Sequence, residues 1–389
     1  MLIWGALIIP IILTIIFVIK WHNKMAWWEY VIPTLAVLMI IAVFKSGTES
    51  MQVQDTEYHG SWVATATYEE PWDEWIEDTC TKTVSCGKDC TTTETYDCSY
   101  RKDHPAQYYI EEGAGGKVLN IDPGYFNWLC EHFGNKNFIE MNRDYYRIDG
   151  NAYQTIWGGE RNKLVPVSTI HNYVNRIQAS TSVYRFREIP EKEAKSKGLY
   201  EYPGVDAQYQ TENILGPAGN QKNDAERYIQ LLNATMGRPN QVRLYILIFQ
   251  DKPRDVAFDQ QAYWGGGNKN EFVVCIGIDK ERKVKWCVPF SWMDKQGLTT
   301  NIRTDVLQQT GKPLDLLKVI RHLEVRVPKE WERKQFADFN YLTVEPPLWA
   351  VIITYLASIL VTGGTLYWCH CNDFECGGHK TPYRSRYRY

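Results

Sequence analysis

The chain has 389 residues, 44% hydrophobic and 23% charged, which is enough for two globular domains with ordinary bulk statistics. Its formal net charge of −3 gives no case for a nucleic-acid binder. The averages conceal a partition: apolar residues gather at the two ends, while the middle is polar and rich in tyrosine, as in a membrane protein with a large water-exposed domain.

The first apolar run, "MLIWGALIIPIILTIIFVI", carries no charge from Met1 to Ile19 and matches the roughly 20 residues that cross a bilayer core. A cleaved signal peptide would open on a basic region and close on small residues. Here no charge precedes the run and Lys20-Trp21-His22 follows it, so an uncleaved anchor is favoured. A second span is expected from about Met25 to Phe44, with Trp27, Trp28 and Glu29 at one interface and Lys45 at the other. The third, "PPLWAVIITYLASILVTGGTLYWCHCN", is uncharged from Pro346 to Asn372. Lys20 and Lys24 lie between the first two spans, and Lys380, Arg384, Arg386 and Arg388 lie in the tail. The bias of basic residues toward the cytoplasm then predicts a multi-pass integral membrane protein whose N-terminus and large domain are extracytoplasmic and whose C-terminal tail is cytoplasmic.

Domain boundaries follow: a transmembrane hairpin over 1–45, a β-rich disulfide-bonded subdomain over 46–210, an α/β subdomain over 211–345, a third transmembrane helix over 346–368 and a basic Cys/His tail over 369–389. The expected fold class is α+β. An oxidising compartment makes disulfides the default for the cysteines of the outward region. In "CTKTVSCGKDCTTTETYDC" the turn Gly87-Lys88-Asp89 sets Cys86 opposite Cys90, and counting outward brings Cys80 nearly opposite Cys98, with a one-position discrepancy that a bulge absorbs. Nested pairs, Cys80 with Cys98 and Cys86 with Cys90, are the favoured connectivity. In "FVVCIGIDKERKVKWCVPF" the residues equidistant from Glu281 include Cys275 and Cys287, a third expected pair; the alternative is two half-buried free thiols. Cys130 is left over on a helix "DPGYFNWLCEHFG", capped by Asp122 and ended by Gly134.

The segment "YYRIDGNAYQTIW" is expected to be a hairpin turning at Asp149-Gly150. Further on, "NDAERYIQLLNATMG" is an amphipathic helix, "QVRLYILIF" a buried strand and "KPLDLLKVIRHLEV" another helix, which together predict an α/β sandwich with a mixed sheet. This order, with Trp264-Gly265-Gly266-Gly267 and the hairpin that follows, resembles the TPM domain over about residues 222–340. The resemblance implies a membrane-tethered fold linked to acid phosphatase activity, divalent-ion binding, or assembly and repair of membrane complexes. Two departures, "VPFSWMDKQGL" after the second hairpin strand and Asn270-Glu271 before the first, argue against retained catalysis. The stretches "YEEPWDEWIEDTC", "KDHPAQYYI" and "NYVNRIQASTSVYRF" are similar to membrane-anchored proteins of tailed bacteriophages, which implies a binding or assembly role.

On chemical grounds a metal-dependent phosphohydrolase is the alternative, with Asp251 at the carboxyl end of the buried strand and Glu271 and Asp294 drawn toward it. The "GGGNKN" stretch lacks the Gly-Lys-Ser/Thr ending of a phosphate loop and is expected to be a flexible turn. His59, His104, His132, His171 and His322 are scattered without ligand spacing. In the tail, Cys369, Cys371, Cys376 and His379 could bind zinc, although the C-x-C spacing is unusual. No cofactor is required by the interaction reading; zinc in the tail or a divalent cation in the TPM-like region are the two candidates. The expected partners are the membrane and an unidentified protein, with a homo-oligomer left open.

Overall fold

A computed structural model describes residues 2–21, 27–87, 90–182, 184–204 and 212–372. In chain order it begins with α1 (Ile8–Trp21) and α2 (Val31–Val53). The strands β1 (Gln54–Glu69), β2 (Trp72–Ile76), β3 (Thr79–Gly87), β4 (Cys90–Asp97), β5 (Tyr100–His104), β6 (Gln107–Glu112) and β7 (Val118–Asn120) follow, then α3 (Pro123–Phe133), β8 (Asn137–Ile139), β9 (Ala152–Ile156) and β10 (Pro166–Val174). The short helices α4 (Arg176–Ala179) and α5 (Glu191–Lys197) lead to β11 (Ile214–Leu215), α6 (Lys222–Met236), β12 (Arg243–Gln250), α7 (Val256–Tyr263), β13 (Glu271–Ile278) and β14 (Val284–Ser291). The helices α8 (Gly297–Leu307), α9 (Leu316–Glu330) and α10 (Leu348–Asn372) complete a mixed α+β fold. The chain divides into two compact units. One comprises residues 1–55, 174–185 and 336–389; the other comprises 56–173 and 186–335.

The first unit holds three helices long and apolar enough to cross a membrane, Leu2–Lys20, Trp28–Val53 and Leu348–Cys369. Their outward faces are isoleucine and leucine, for example Ile12, Ile15, Leu35, Ile352 and Leu360, all exposed. The inward contact is small: Ile3, Ala6, Val37, Ile41 and Val351 form its core. Polar residues of α10 face inward too. Thr354 and Ser358 are fully buried and satisfy their hydroxyls on carbonyls one turn back, Ala350 at 2.8 Å and Thr354 at 2.7 Å. Small residues of this kind let helix backbones approach closely in an apolar medium. The second span continues as helix past Phe44 to Val53, where Arg176 of α4 pairs with Glu49 at 2.7 Å and Asn175 donates to Asp55 at 2.7 Å.

In the second unit, β7-β6-β1-β9-β8 form one sheet in that order, and β10 pairs with β1. Helix α3 covers it with Phe126, Leu129 and Phe133 against Val63, Ala66 and Ile110. Asp122 caps this helix by accepting from the Tyr125 amide at 2.9 Å, and Gly134 ends it in the left-handed region, as its sequence dictates. The expected hairpin at Asp149-Gly150 is not formed. Strand β9 pairs instead with β1 and β8, because Asp73 holds the preceding segment: its carboxylate accepts the Arg147 amide at 2.8 Å and the Ile148 amide at 2.6 Å.

The second sheet has the order β11-β12-β13-β14, parallel except for the final antiparallel strand. Every residue of β13 and all but the last of β12 are buried, so both faces of the sheet are covered. The side-chain alternation divides β12 cleanly. Leu244, Ile246 and Ile248 pack with α6, α8 and α9, while Tyr245, Leu247 and Phe249 pack with α5 and α7. The two sheet systems meet where Gly60 of β1 abuts the end of α6. A Cβ on Gly60 would lie 2.1 Å from the Asn233 carbonyl oxygen, and one on Gly237 would lie 2.5 Å from the Gly60 nitrogen, so neither backbone tolerates a side chain. Asn233, in the glycosylation-like Asn-Ala-Thr, is fully buried here and bonds Asn213 at 2.8 Å.

Candidate functional site

The three acids that sequence chemistry would gather do not converge. Glu271 is the register partner of Arg243, whereas Asp251 follows Gln250, the partner of Ile278. These are opposite ends of parallel strands, about 25 Å apart at roughly 3.3 Å per residue. Asp294 lies beyond the end of β14, ion-paired at the surface with Lys334 at 3.1 Å. Asp251 is exposed, with a positive φ of 52°.

Glu271 has a structural task. Fully buried, it accepts from the Tyr202 hydroxyl and from the Asn268 amide at 2.9 Å, and the Asn268 side chain reaches both, at 3.0 Å from the Tyr202 oxygen. Burial pushes its carboxyl up despite these donors. The "GGGNKN" stretch is therefore a built turn around a carboxylate: Gly265, Gly266 and Gly267 all have positive φ, and the Trp292 indole donates to the Gly267 carbonyl at 3.0 Å. Beside it Arg243, also fully buried, donates to the Tyr245 hydroxyl at 2.8 Å and to Ser168 of β10 at 2.9 Å, tying the two sheets together. Its one sequence signal is an arginine opening the otherwise apolar "RLYILIF".

A second buried cluster surrounds Glu57 of β1. His59 lies at 3.2 Å, Arg333 at 3.1 Å and Lys269 at 3.4 Å, and His59 stacks on His171 with centroids 4.2 Å apart. Burial alone would raise the Glu57 carboxyl, but His59, Arg333 and Lys269 together bring it below its ordinary value. His171 is depressed by burial first and by His59 second. Two histidines 112 positions apart carry no spacing signal, so this pairing is invisible in one dimension. Among the other histidines, His104 bonds Glu74 at 2.9 Å and stacks on Trp72, His132 contacts the Lys163 carbonyl oxygen at 3.0 Å, and His322 faces Asp305 at 3.5 Å.

The cysteines divide. Cys80 and Cys98 are bonded, with Cα atoms 5.7 Å apart, closing the base of the β3–β4 ribbon, where the Cys98 amide donates to the Asp78 carbonyl at 3.0 Å. Asp78 lies close to both sulfurs, but sulfurs joined to each other are not thiolate ligands. The side chains of the expected Cys86–Cys90 pair lie outside the described residues; the backbone sets Cys90 opposite Gly87. The expected Cys275–Cys287 bridge is not formed, and both are buried free thiols. A bulge between Gly277 and Ile278 shifts the register by one, so Cys275 faces Val288 and Cys287 faces Ile276. That single step sends the two sulfurs to opposite faces, and they join different cores. Cys130 is a free, partly buried thiol packed in the first sheet's core. Of the tail set, Cys369 is a buried free cysteine, and Cys371, Cys376 and His379 lie outside the residues whose side chains are described.

At the foot of the ribbon lies the most site-like surface feature. Trp75 of β2 and Tyr96 of β4 flank a cleft of about 360 Å³ lined also by Glu77, Asp78, Asp97 and Ser99. The rings are 45% and 47% exposed. Trp75 packs on Tyr146 at 5.1 Å, and the 146–148 segment is in turn pinned by Asp73. The floor is fixed by the disulfide and by Ser99, whose hydroxyl accepts from the Asp78 amide at 3.2 Å and donates to the Asp97 carboxylate at 2.5 Å. No family model, curated protein or solved structure matches this chain.

Proposed function

We propose that the chain is a membrane-anchored interaction or assembly protein, with its N-terminus and large region outside the cytoplasm and its basic tail inside. The observation that carries this reading is a set of half-exposed aromatic rings on paired strands: Tyr96 on the disulfide-closed β3–β4 ribbon, and Trp75 and Tyr100 on the adjoining β2–β5 pair. Exposed tryptophan and tyrosine on a rigid support are the residues that dominate protein interfaces. The three apolar helices support the anchor. The TPM-like resemblance read from the sequence points, through the assembly arm of what that family implies, to the same reading. The phage resemblance of the β-rich part points to the same kind of role.

The alternative, a metal-dependent phosphohydrolase, needs acids that meet, and Asp251 stands at the opposite end of the parallel strands from Glu271. The experiment that separates the readings is phosphate-ester hydrolysis by the full chain in detergent, with and without divalent ions. The interaction reading expects no turnover that Asp251→Ala abolishes; metal-dependent turnover lost in that variant overturns it. Sided thiol labelling, before and after reduction, tests the orientation: Cys80 and Cys98 should label from outside and after reductant.

A further inference from the structure

The cleft at the foot of the ribbon differs from an ordinary apolar patch in its charge. Between residues 71 and 104 the chain carries eight acidic residues against four lysines and arginines. Most of the basic groups are already used: Arg101 pairs with Asp73 at 2.8 Å and Asp103 at 2.7 Å, Lys102 with Glu74 at 3.1 Å, and Lys82 with Glu94 at 3.5 Å. Glu77, Asp78 and Asp97, which line the cleft, have no basic partner among the described residues. Tyr96 already receives a cation on its ring, since the Lys82 ammonium sits 5.9 Å from its centroid. A flat aromatic face accepts an ammonium or guanidinium, and carboxylates around its rim complete the match.

We propose that the cleft between Trp75 and Tyr96 docks a lysine- or arginine-bearing segment of a partner protein, with cationic head groups over the two rings and among the carboxylates of Glu77, Asp78 and Asp97. The proposal rests on the interaction reading above and adds the chemistry of the partner. Charge complementarity selects this occupant over a neutral glycan, which would use the same rings but gain nothing from the acidic excess. The disulfide holds the two strands, the Thr79 amide donates to the Asp78 carboxylate at 2.8 Å, and the Ser99 amide and hydroxyl donate to the Asp97 carboxylate, so two of the three carboxylates are placed before binding. Each exposed cation contact is weak, so a segment with several basic residues is required.

The test uses the full chain in micelles of a neutral detergent and a dye-labelled peptide of alternating arginine and glycine, followed by fluorescence anisotropy. Binding is expected to weaken about tenfold or more in the triple variant Glu77→Gln/Asp78→Asn/Asp97→Asn and in Trp75→Ala, and to fall with added salt. Because Asp97 also anchors Ser99, Glu77→Gln alone, which touches no such bond, should give a smaller loss with the disulfide intact by mass spectrometry. No binding, or binding equal in wild type and variants, overturns the proposal. So does salt-insensitive binding of a neutral chitin oligosaccharide that displaces the peptide. A photo-crosslinking residue at Tyr96 separates the two levels. If it captures a protein in native membranes while the arginine peptide fails to bind, the cationic occupant falls and the interaction reading stands; if it captures none, both fall.

Discussion

Arg243 and Glu271 face each other in register across β12 and β13, both almost wholly out of water, and each is satisfied by a different set of neighbours. Arg243 reaches across to Ser168 of the first sheet; Glu271 holds the glycine turn through Asn268. Arg243→Leu strands Tyr245 and Ser168 and leaves the acid without its cation, so it should cost about 3–5 kcal/mol. Glu271→Gln keeps one acceptor oxygen for Tyr202 or Asn268 and should cost about 1–3 kcal/mol. Chemical denaturation of the full chain in detergent, followed by tryptophan fluorescence, checks the order; a larger loss in Glu271→Gln contradicts it.

Lowering the pH should loosen the second unit through His171. Its folded pKa lies below the ordinary 6.5, depressed by burial, then by His59, Lys117 and Arg238, with Glu57 opposing. Below pH of about 6.5 the unfolded chain takes up a proton that the folded chain resists, so stability falls with pH. Glu57 adds a second loss at lower pH, because stability from a depressed carboxylate is present above its unfolded 4.5 and disappears as pH drops through the folded value. Glu271 runs the other way, with its contribution complete below 4.5 and declining as pH rises through its raised folded value. His171→Asn should flatten the loss between about pH 6.5 and 5 in a thermal-melt series; an unchanged slope contradicts the assignment.

Non-reducing peptide mapping should recover Cys80 linked to Cys98, and Cys275 and Cys287 as free thiols. Burial pushes the Cys287 thiol up to about 12 and raises that of Cys275 as well, so alkylation of both should await unfolding. Reducing Cys80–Cys98 should cost the ribbon roughly 3 kcal/mol, seen as faster amide exchange over 79–97 with the second sheet unchanged. A recovered Cys275–Cys287 peptide would contradict the one-residue register shift.

Gly266 has φ of 90°, and a Cβ there would lie 2.5 Å from the Phe186 ring and 2.9 Å from the Trp292 indole nitrogen. Gly266→Ala should destabilise by about 2–4 kcal/mol, from backbone strain together with the clash. Gly297→Ala, at a position open to solvent, should be neutral or better in the same melt.

Much of the local structure was legible in the residues themselves. The uncharged runs gave three helices of spanning length, Asp122 and Gly134 bounded α3, and the apolar "RLYILIF" gave β12. What failed depended on single-residue register and on distant partners. The Lys280–Arg282 turn suggested a symmetric pairing for Cys275 and Cys287, but Arg282 with φ of 64° belongs to a turn followed by a bulge, and one step reverses the faces. The 145–150 segment read as half a hairpin because nothing local announces that Asp73, over seventy residues earlier, accepts its amides. The acids Asp251 and Glu271 looked equivalent as strand-end carboxylates, whereas the parallel pairing of β12 and β13 sets them at opposite ends. The cleft itself is assembled from β2, the connection to β3 and its first residue, the end of β4 and the residues after it; "YEEPWDEWIEDTC" and "CTKTVSCGKDCTTTETYDC" contain all of these residues but Ser99, yet only the pairing of the strands brings 75–79 against 95–99.

The most direct measurement is site-directed photo-crosslinking in membranes of cells that make the chain, with the reactive residue at Tyr96 beside the cleft or at Thr300 on the exposed face of α8. The interaction account predicts a discrete protein adduct from Tyr96, lost on Trp75→Ala and absent from Thr300. Equal, diffuse labelling from both positions, or an adduct indifferent to Trp75, would contradict it.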